Sequence, residues 1–154
     1  MTQCFWRQPN DLNILNIMIS QKEITLHGLK RGYHLITRMI IDNLDDLPEK
    51  GLLHILVKHT SAGITLNENA DPTVRDDFES HFDRTVPENA PYYRHDYEGP
   101  DDMPAHLKSS ILGSSLNIPI SNGRLNLGTW QGIYFCEFRN RPGTRRLVIT
   151  AFGT

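Results

Sequence analysis

GLLHILVKHTSAGITLNEN, residues 51–69, decides the fold. Leu53, Ile55, Val57 and His59 share one parity; Leu52, His54, Leu56, Lys58 and Thr60 share the other. Successive side chains of a strand face opposite ways, so this alternation predicts a strand over 51–60. Both faces are partly apolar, which places it inside a sheet rather than at an edge. The chain turns at Ser61-Ala62-Gly63 and enters a second strand over 63–69. There Ile64, Leu66 and Glu68 point one way and Thr65, Asn67 and Asn69 the other. Asp71-Pro72 then carries the signature of a helix cap followed by proline at the first helical position. The stretch has two readings. Its imidazole, hydroxyls, amides and carboxylates form either a polar loop and cap, or a site, since each buried polar group needs a partner.

Working outward, Ile24 and Leu26 alternate with Thr25 and His27, a strand, and Arg31-Gly32 leads into another over 33–37. A short helix over 38–44 stops before Pro48. Val74, Phe78, His81 and Phe82 recur at helical spacing to about Thr85, with His81 on the core-facing side. Residues 87–104 are dense in Pro, Gly, Asp and Tyr, and a segment of this length in a compact domain is functional or disordered. Its three tyrosines, with Arg94 and His95 among them, argue against plain disorder. Met103, Leu107 and Ile111 mark a third helix that ends at Gly113. Four extended runs follow, over 116–120, 124–127, 129–138 and 145–152, joined by turns that include Asn122-Gly123 and Pro142-Gly143. They predict a closing β-meander. Trp130 reads as packed on a central strand. The class is α+β: one domain over 18–154, with a mostly antiparallel sheet or sandwich and about three helices on one side. Residues 1–17 read as a loosely ordered extension, and Met18 as a candidate translation start.

The chain has 154 residues, suited to one domain with a real core, and a net charge of −2. That balance argues against a general nucleic-acid or membrane-surface binder. Cys4 and Cys136 are too few and too far apart for a disulfide framework or a zinc knuckle. No apolar run reaches membrane-spanning length, and the first residues lack the pattern of a secretory signal. A cytoplasmic protein is the expectation.

His59, His95 and His106 are the metal candidates, because a catalytic site needs about three protein ligands and an open position. The alternative is that each ring hydrogen-bonds locally. Asp71 is explained by the cap. Glu68 is the carboxylate to watch, as a general base or a magnesium ligand. On the run over 129–138, Gln131 and Glu137 bracket Ile133 and Phe135 on one face and need polar partners if buried. Lys108, with Ser109-Ser110 and Gly113-Ser114-Ser115 close behind, can hold a phosphate through a cation, hydroxyls and backbone N–H groups. Exposed basic residues and a helix end explain the same spacing.

RGYHLIT (31–37), HTSAGITLNENADPTVRDD (59–77), TVPENAPYYRHDYEGPDDMPAHLKSSILGSSLNIPISNGRL (85–125) and LGTWQGIYFCEFRNRPGTRR (127–146) together resemble the YjbQ-like family, often named secondary thiamine-phosphate synthase enzymes. The resemblance runs from about residue 18 to the end. It implies a curved, largely antiparallel α+β fold that forms a homotrimer, with clefts shared between subunits. It implies a divalent metal, zinc or magnesium, at His59, His95 and His106. Asn67, Glu68, Asp71, Lys108, Gln131 and Glu137 are its further polar motif positions. The activity implied is a low-level joining of a pyrimidine-methyl diphosphate to a thiazole phosphate, with release of diphosphate. Lys108 and an arginine would stabilise the departing anion, and Tyr92, Tyr93 or Trp130 would flank a ring. A metal-dependent hydrolase of a small phosphorylated or ester-like metabolite, or a non-catalytic trimeric binding protein, are the alternatives.

Overall fold

A computed structural model describes residues 16–154. The loosely ordered reading of 1–17 therefore lies almost wholly outside the described residues. The elements are β1 (Met18–Leu26), β2 (Gly32–Leu35), α1 (Thr37–Asp42), β3 (Lys50–Val57), β4 (Ala62–Glu68), α2 (Thr73–Thr85), α3 (Asp102–Leu112), β5 (Ser115–Ser121), β6 (Arg124–Leu125), β7 (Gln131–Glu137) and β8 (Arg145–Gly153). They build a five-stranded sheet, β1-β8-β3-β5-β6, and a three-stranded sheet, β2-β7-β4, antiparallel throughout.

The two sheets face each other. Ile24, Leu53, Ile55, Ile118, Leu147 and Ile149 of the larger meet Ile64, Ile133 and Phe135 of the smaller in one buried core. Each such side chain, once buried, is worth about 1.5–3 kcal/mol of transfer free energy. The period-two reading of β3 names its inward residues correctly. Its outward residues Leu52, His54 and Leu56 are half-buried to exposed. On its far side the smaller sheet carries a second core. Tyr33, Tyr134, Cys136 and Phe138 pack there with Ala105 of α3 and Phe78 and Phe82 of α2. Tyr33 stacks on Phe78 at a ring separation of 5.3 Å. β7 is thus buried on both faces, which is why its sequence is almost wholly apolar.

Four expectations need correction. The last strands are no meander: β5 and β6 form a hairpin, but β7 crosses to the smaller sheet between β2 and β4, and β8 returns between β1 and β3. Both strands thus fill interior slots, each pairing on two sides. Trp130 precedes β7 and is 64% exposed. His81 lies on the exposed side of α2, edge-on to Phe82. The third helix buries Asp102, Ala105, Lys108 and Ser109, while Ile111 is exposed. Two local signals hold. Asn122 (φ 52°) and Gly123 (φ 66°) form the tight turn between β5 and β6, as a two-residue hairpin requires. Gly113 closes α3 at φ 96°, its N–H bonded to the Ser109 carbonyl.

The helices contact the smaller sheet, α3 on β4, α2 on β2 and α1 on β7. The outer face of the larger sheet is bare of them and carries a cross-strand row, Ile19, Phe152, Leu52 and Pro119. Among the described residues no helix is long and apolar enough to cross a membrane.

Candidate functional site

His59 lies just beyond β3, and α3 begins at Asp102, four residues before His106. That spacing puts Asp102 and His106 on one face of the helix. The segment before α3 brings His95 to the same place. His95 Nε2 lies 2.9 Å from Asp102 Oδ2, and His106 Nε2 lies 3.5 Å from Asp102 Oδ1. One potential ligand atom from each residue falls within 4.8 Å of the others, and the imidazole centroids are 5.3 Å apart. Asp102 is 1% exposed. His95 approaches its Oδ2 as an ion-pair contact, and that oxygen makes no hydrogen bond to another described residue. Groups that converge without bonding one another suit a common third atom.

Two further contacts prepare the cluster. His106 Nδ1 donates to the Thr60 carbonyl at 3.0 Å, which leaves Nε2 with its lone pair on the Asp102 side. This orientation of a ligating imidazole through its second nitrogen is the usual arrangement at metal sites. Arg139 donates to Asp102, to Asp101 at 3.0 Å and to the Glu98 carbonyl at 2.9 Å. Arg139 Nη1 also lies 3.5 Å from the Glu98 carboxylate, so three carboxylates face one guanidinium and leave a surplus of negative charge that favours a cation. The Asp101 carboxyl sits below its ordinary value. Burial opposes this, but the Asn140 N–H and the Arg139 guanidinium outweigh it. His95 is largely exposed, so the cluster opens to solvent.

His59 stands apart from this group. Its Nε2 accepts the Arg146 N–H at 2.8 Å, and the ring shares a cleft of about 500 Å³ with His106. The other sequence candidates fall into three places. Lys108 is buried, its Nζ 2.5 Å from Asp83, which also accepts from Arg31. Glu137 is 0% exposed and bonds Arg145 through both oxygens at 2.7 Å. Glu68, Asn67 and Gln131 sit at the opposite end of the β4–β7 pair. Asn67 accepts the Glu68 N–H, Gln131 accepts the Gly128 N–H, and Tyr134 donates to the Glu68 carbonyl. Six strand residues separate the ends, roughly 20 Å. Of the proposed ligands the fold therefore gathers His95 and His106. It adds Asp102, which is not among the candidates named from the sequence. The signal was the Asp-x-x-x-His spacing in a segment opened by Gly99-Pro100.

Asp83 stays ionised to lower pH than an ordinary carboxylate. Burial pushes it up, but hydrogen bonds from Lys108 and Arg31 push it further down. A depressed carboxyl stabilises the fold above its unfolded value, and the contribution fades as pH falls below about 4. The expected result is that Asp83→Asn lowers the melting temperature at pH 7, and that the gap from the parent narrows toward pH 3. A gap unchanged with pH would show that the ion pairs contribute nothing.

An antiparallel two-sheet α+β domain with a histidine–carboxylate cluster that shares His106 with a cleft is the class of protein that the fold and site define. The description "UPF0047 protein YjbQ-like" matches residues 22–154, and the chain belongs to this family. It is 58% identical to the UPF0047 protein YjbQ of Salmonella typhimurium over 135 residues, 86% of this chain and 97% of that one. It is 55% identical to the YjbQ protein of Escherichia coli O157:H7 over the same lengths. Among solved structures, a YjbQ/UPF0047-family protein of Clostridium acetobutylicum superposes with a TM-score of 0.70. It has 37% identity and covers 86% of this chain and 99% of that one. A conserved hypothetical protein of Thermus thermophilus gives 0.73 at 34% identity, covering 82% and 97%.

Proposed function

We propose that the protein is a divalent-metal-dependent enzyme acting on a small phosphorylated metabolite, with thiamine-phosphate synthase-type transfer as its reaction. The observation that carries this is the buried Asp102 carboxylate, whose Oδ2 makes no hydrogen bond, set against two imidazoles, of which His106 also lines a cleft. His95, Asp102 and His106 would hold the ion. Two nitrogens and one carboxylate suit zinc better than magnesium, which prefers oxygens. When bound, such an ion supplies positive charge to a departing diphosphate, or acidity to a coordinated water.

The chain's own residues do the rest. Thr60 fixes the His106 tautomer through its carbonyl, and Arg139 orients Asp102. Lys108 does not face the cleft in this reading; it holds α3 against α2 through Asp83. Glu137 likewise fixes β8 through Arg145. Hydrolysis is a second reading, favoured by the exposure of His95, which leaves room for water beside the cluster. The homotrimer belongs to the same proposal, supported by the bare apolar row on the larger sheet; light scattering should give about three times 17.6 kDa.

The test is diphosphate release from a hydroxymethylpyrimidine diphosphate, with and without thiazole phosphate, by zinc-loaded protein. Release that depends on the acceptor supports transfer. Release without it supports hydrolysis. Release undiminished in His106→Ala would defeat the assignment of the centre.

A further inference from the structure

We infer that the cleft beside the metal cluster is a built subsite for a phosphate or diphosphate group, and that His59 is its hydrogen-bond donor rather than a metal ligand. The inference rests on the functional reading above only in placing the reacting centre at His95, Asp102 and His106.

The argument starts from a tautomer. His59 Nε2 accepts the backbone N–H of Arg146 at 2.8 Å, so that nitrogen carries no proton. A neutral imidazole has one N–H, which must then sit on Nδ1. Burial, with Arg145 and Arg146 nearby, holds the ring pKa below its ordinary value, which keeps it neutral at pH 7. His59 is therefore a fixed donor with no free lone pair to offer a cation.

The rest of the lining agrees. The cleft of about 500 Å³ is walled by Lys58, His59, Thr60, His106, Ser110 and Ser114 among others, and no carboxylate lines it among the described residues. That size suits a small-molecule ligand. Ser109 and Ser110 spend their hydroxyls on the carbonyls of Ala62 and His106. The Thr60 and Ser114 hydroxyls make no hydrogen bond to another described residue, and both side chains are exposed to the cleft. Lys58 is tied to Glu23 at 2.5 Å, but both ends are about 40% exposed, and such pairs hold weakly. Its ammonium is free to turn to an anion. Two hydroxyls, one fixed N–H and one ammonium around a carboxylate-free space match a tetrahedral oxyanion with several acceptor oxygens. Because His106 belongs to both cleft and cluster, the bond to be broken in a bound ester lies next to the metal ligands.

The test is calorimetric titration of sodium diphosphate into EDTA-treated protein and then into zinc-loaded protein. Metal-free protein should bind diphosphate. Thr60→Val combined with Ser114→Ala should weaken that binding at least tenfold, as should His59→Gln, whose amide oxygen can still accept the Arg146 N–H. Zinc stoichiometry should not change in either variant. Equal affinity in the parent and the double variant would overturn the inference. So would binding seen only with zinc, since the oxyanion would then sit on the metal. If His59→Gln melts early, the exposed Thr60 and Ser114 positions carry the comparison. Failure of the parent to bind zinc, with diphosphate binding still lost in these variants, would sink the metal-enzyme reading and leave this subsite standing.

Discussion

Asp102→Ala should abolish stoichiometric metal binding. Asp102 would supply the anionic ligand of the proposed centre, and it lies within reach of both imidazoles. Outer partners of metal ligands alone cost roughly 10- to 100-fold in affinity, so loss of a ligand should cost on the order of 100-fold or more. Metal content by mass spectrometry, with competition against a chromophoric chelator, reads the effect. The fold should survive, because Arg139 keeps Asp101 and the Glu98 carbonyl as partners. Asp102→Asn keeps the shape while removing the charge, and should fall between parent and Ala. Full zinc occupancy in Asp102→Ala would mean the ion is held elsewhere, and the proposed centre would have to be abandoned.

Glu137→Ala should be the most destabilising single change in the chain. Glu137 is wholly buried on β7, Arg145 is 8% exposed on β8, and the pair links the two sheets by two bonds of 2.7 Å. The Arg139 N–H uses Glu137 Oε1 as well, at 3.0 Å. Removing one partner strands a guanidinium in the interior, which costs about 3–5 kcal/mol. For a domain of this size that lowers the melting temperature by roughly 10 °C. Thermal unfolding by circular dichroism checks it. Replacing both residues with apolar ones of similar volume should recover much of the loss, since the cost lies in the unpaired charge. A drop of only a degree or two in Glu137→Ala would show that water reaches Arg145.

Strand patterning carried most of the architecture. Period two in 51–57 separates inward from outward residues without error, and Asn122-Gly123 and Gly113 mark their turns because each needs a positive φ. The strand order was out of reach. β7 and β8 are both apolar and adjacent in sequence, and nothing local says that one crosses to the other sheet. The face of α3 misled for a related reason. Met103, Leu107 and Ile111 make the more apolar stripe, yet Asp102, Lys108 and Ser109 are buried because Arg139, Asp83 and the Ala62 carbonyl satisfy them. Polar residues that find partners far along the chain look like surface residues when read alone. The same blindness hid Asp102 at the site, while His95 and His106 stood out by chemistry. His59 was conspicuous for its residue type, but only the fold brings the Arg146 amide to its Nε2.

The slot filled by β8 sets a schedule for synthesis. This strand sits between β1 and β3, both of which leave the ribosome before it. Until Arg145–Gly153 has emerged, β1 has no ladder to join and one flank of β3 stands open. Such unpaired edges invite association with other chains. The nascent polypeptide must therefore wait for β8, and the larger sheet closes only after translation has passed residue 153.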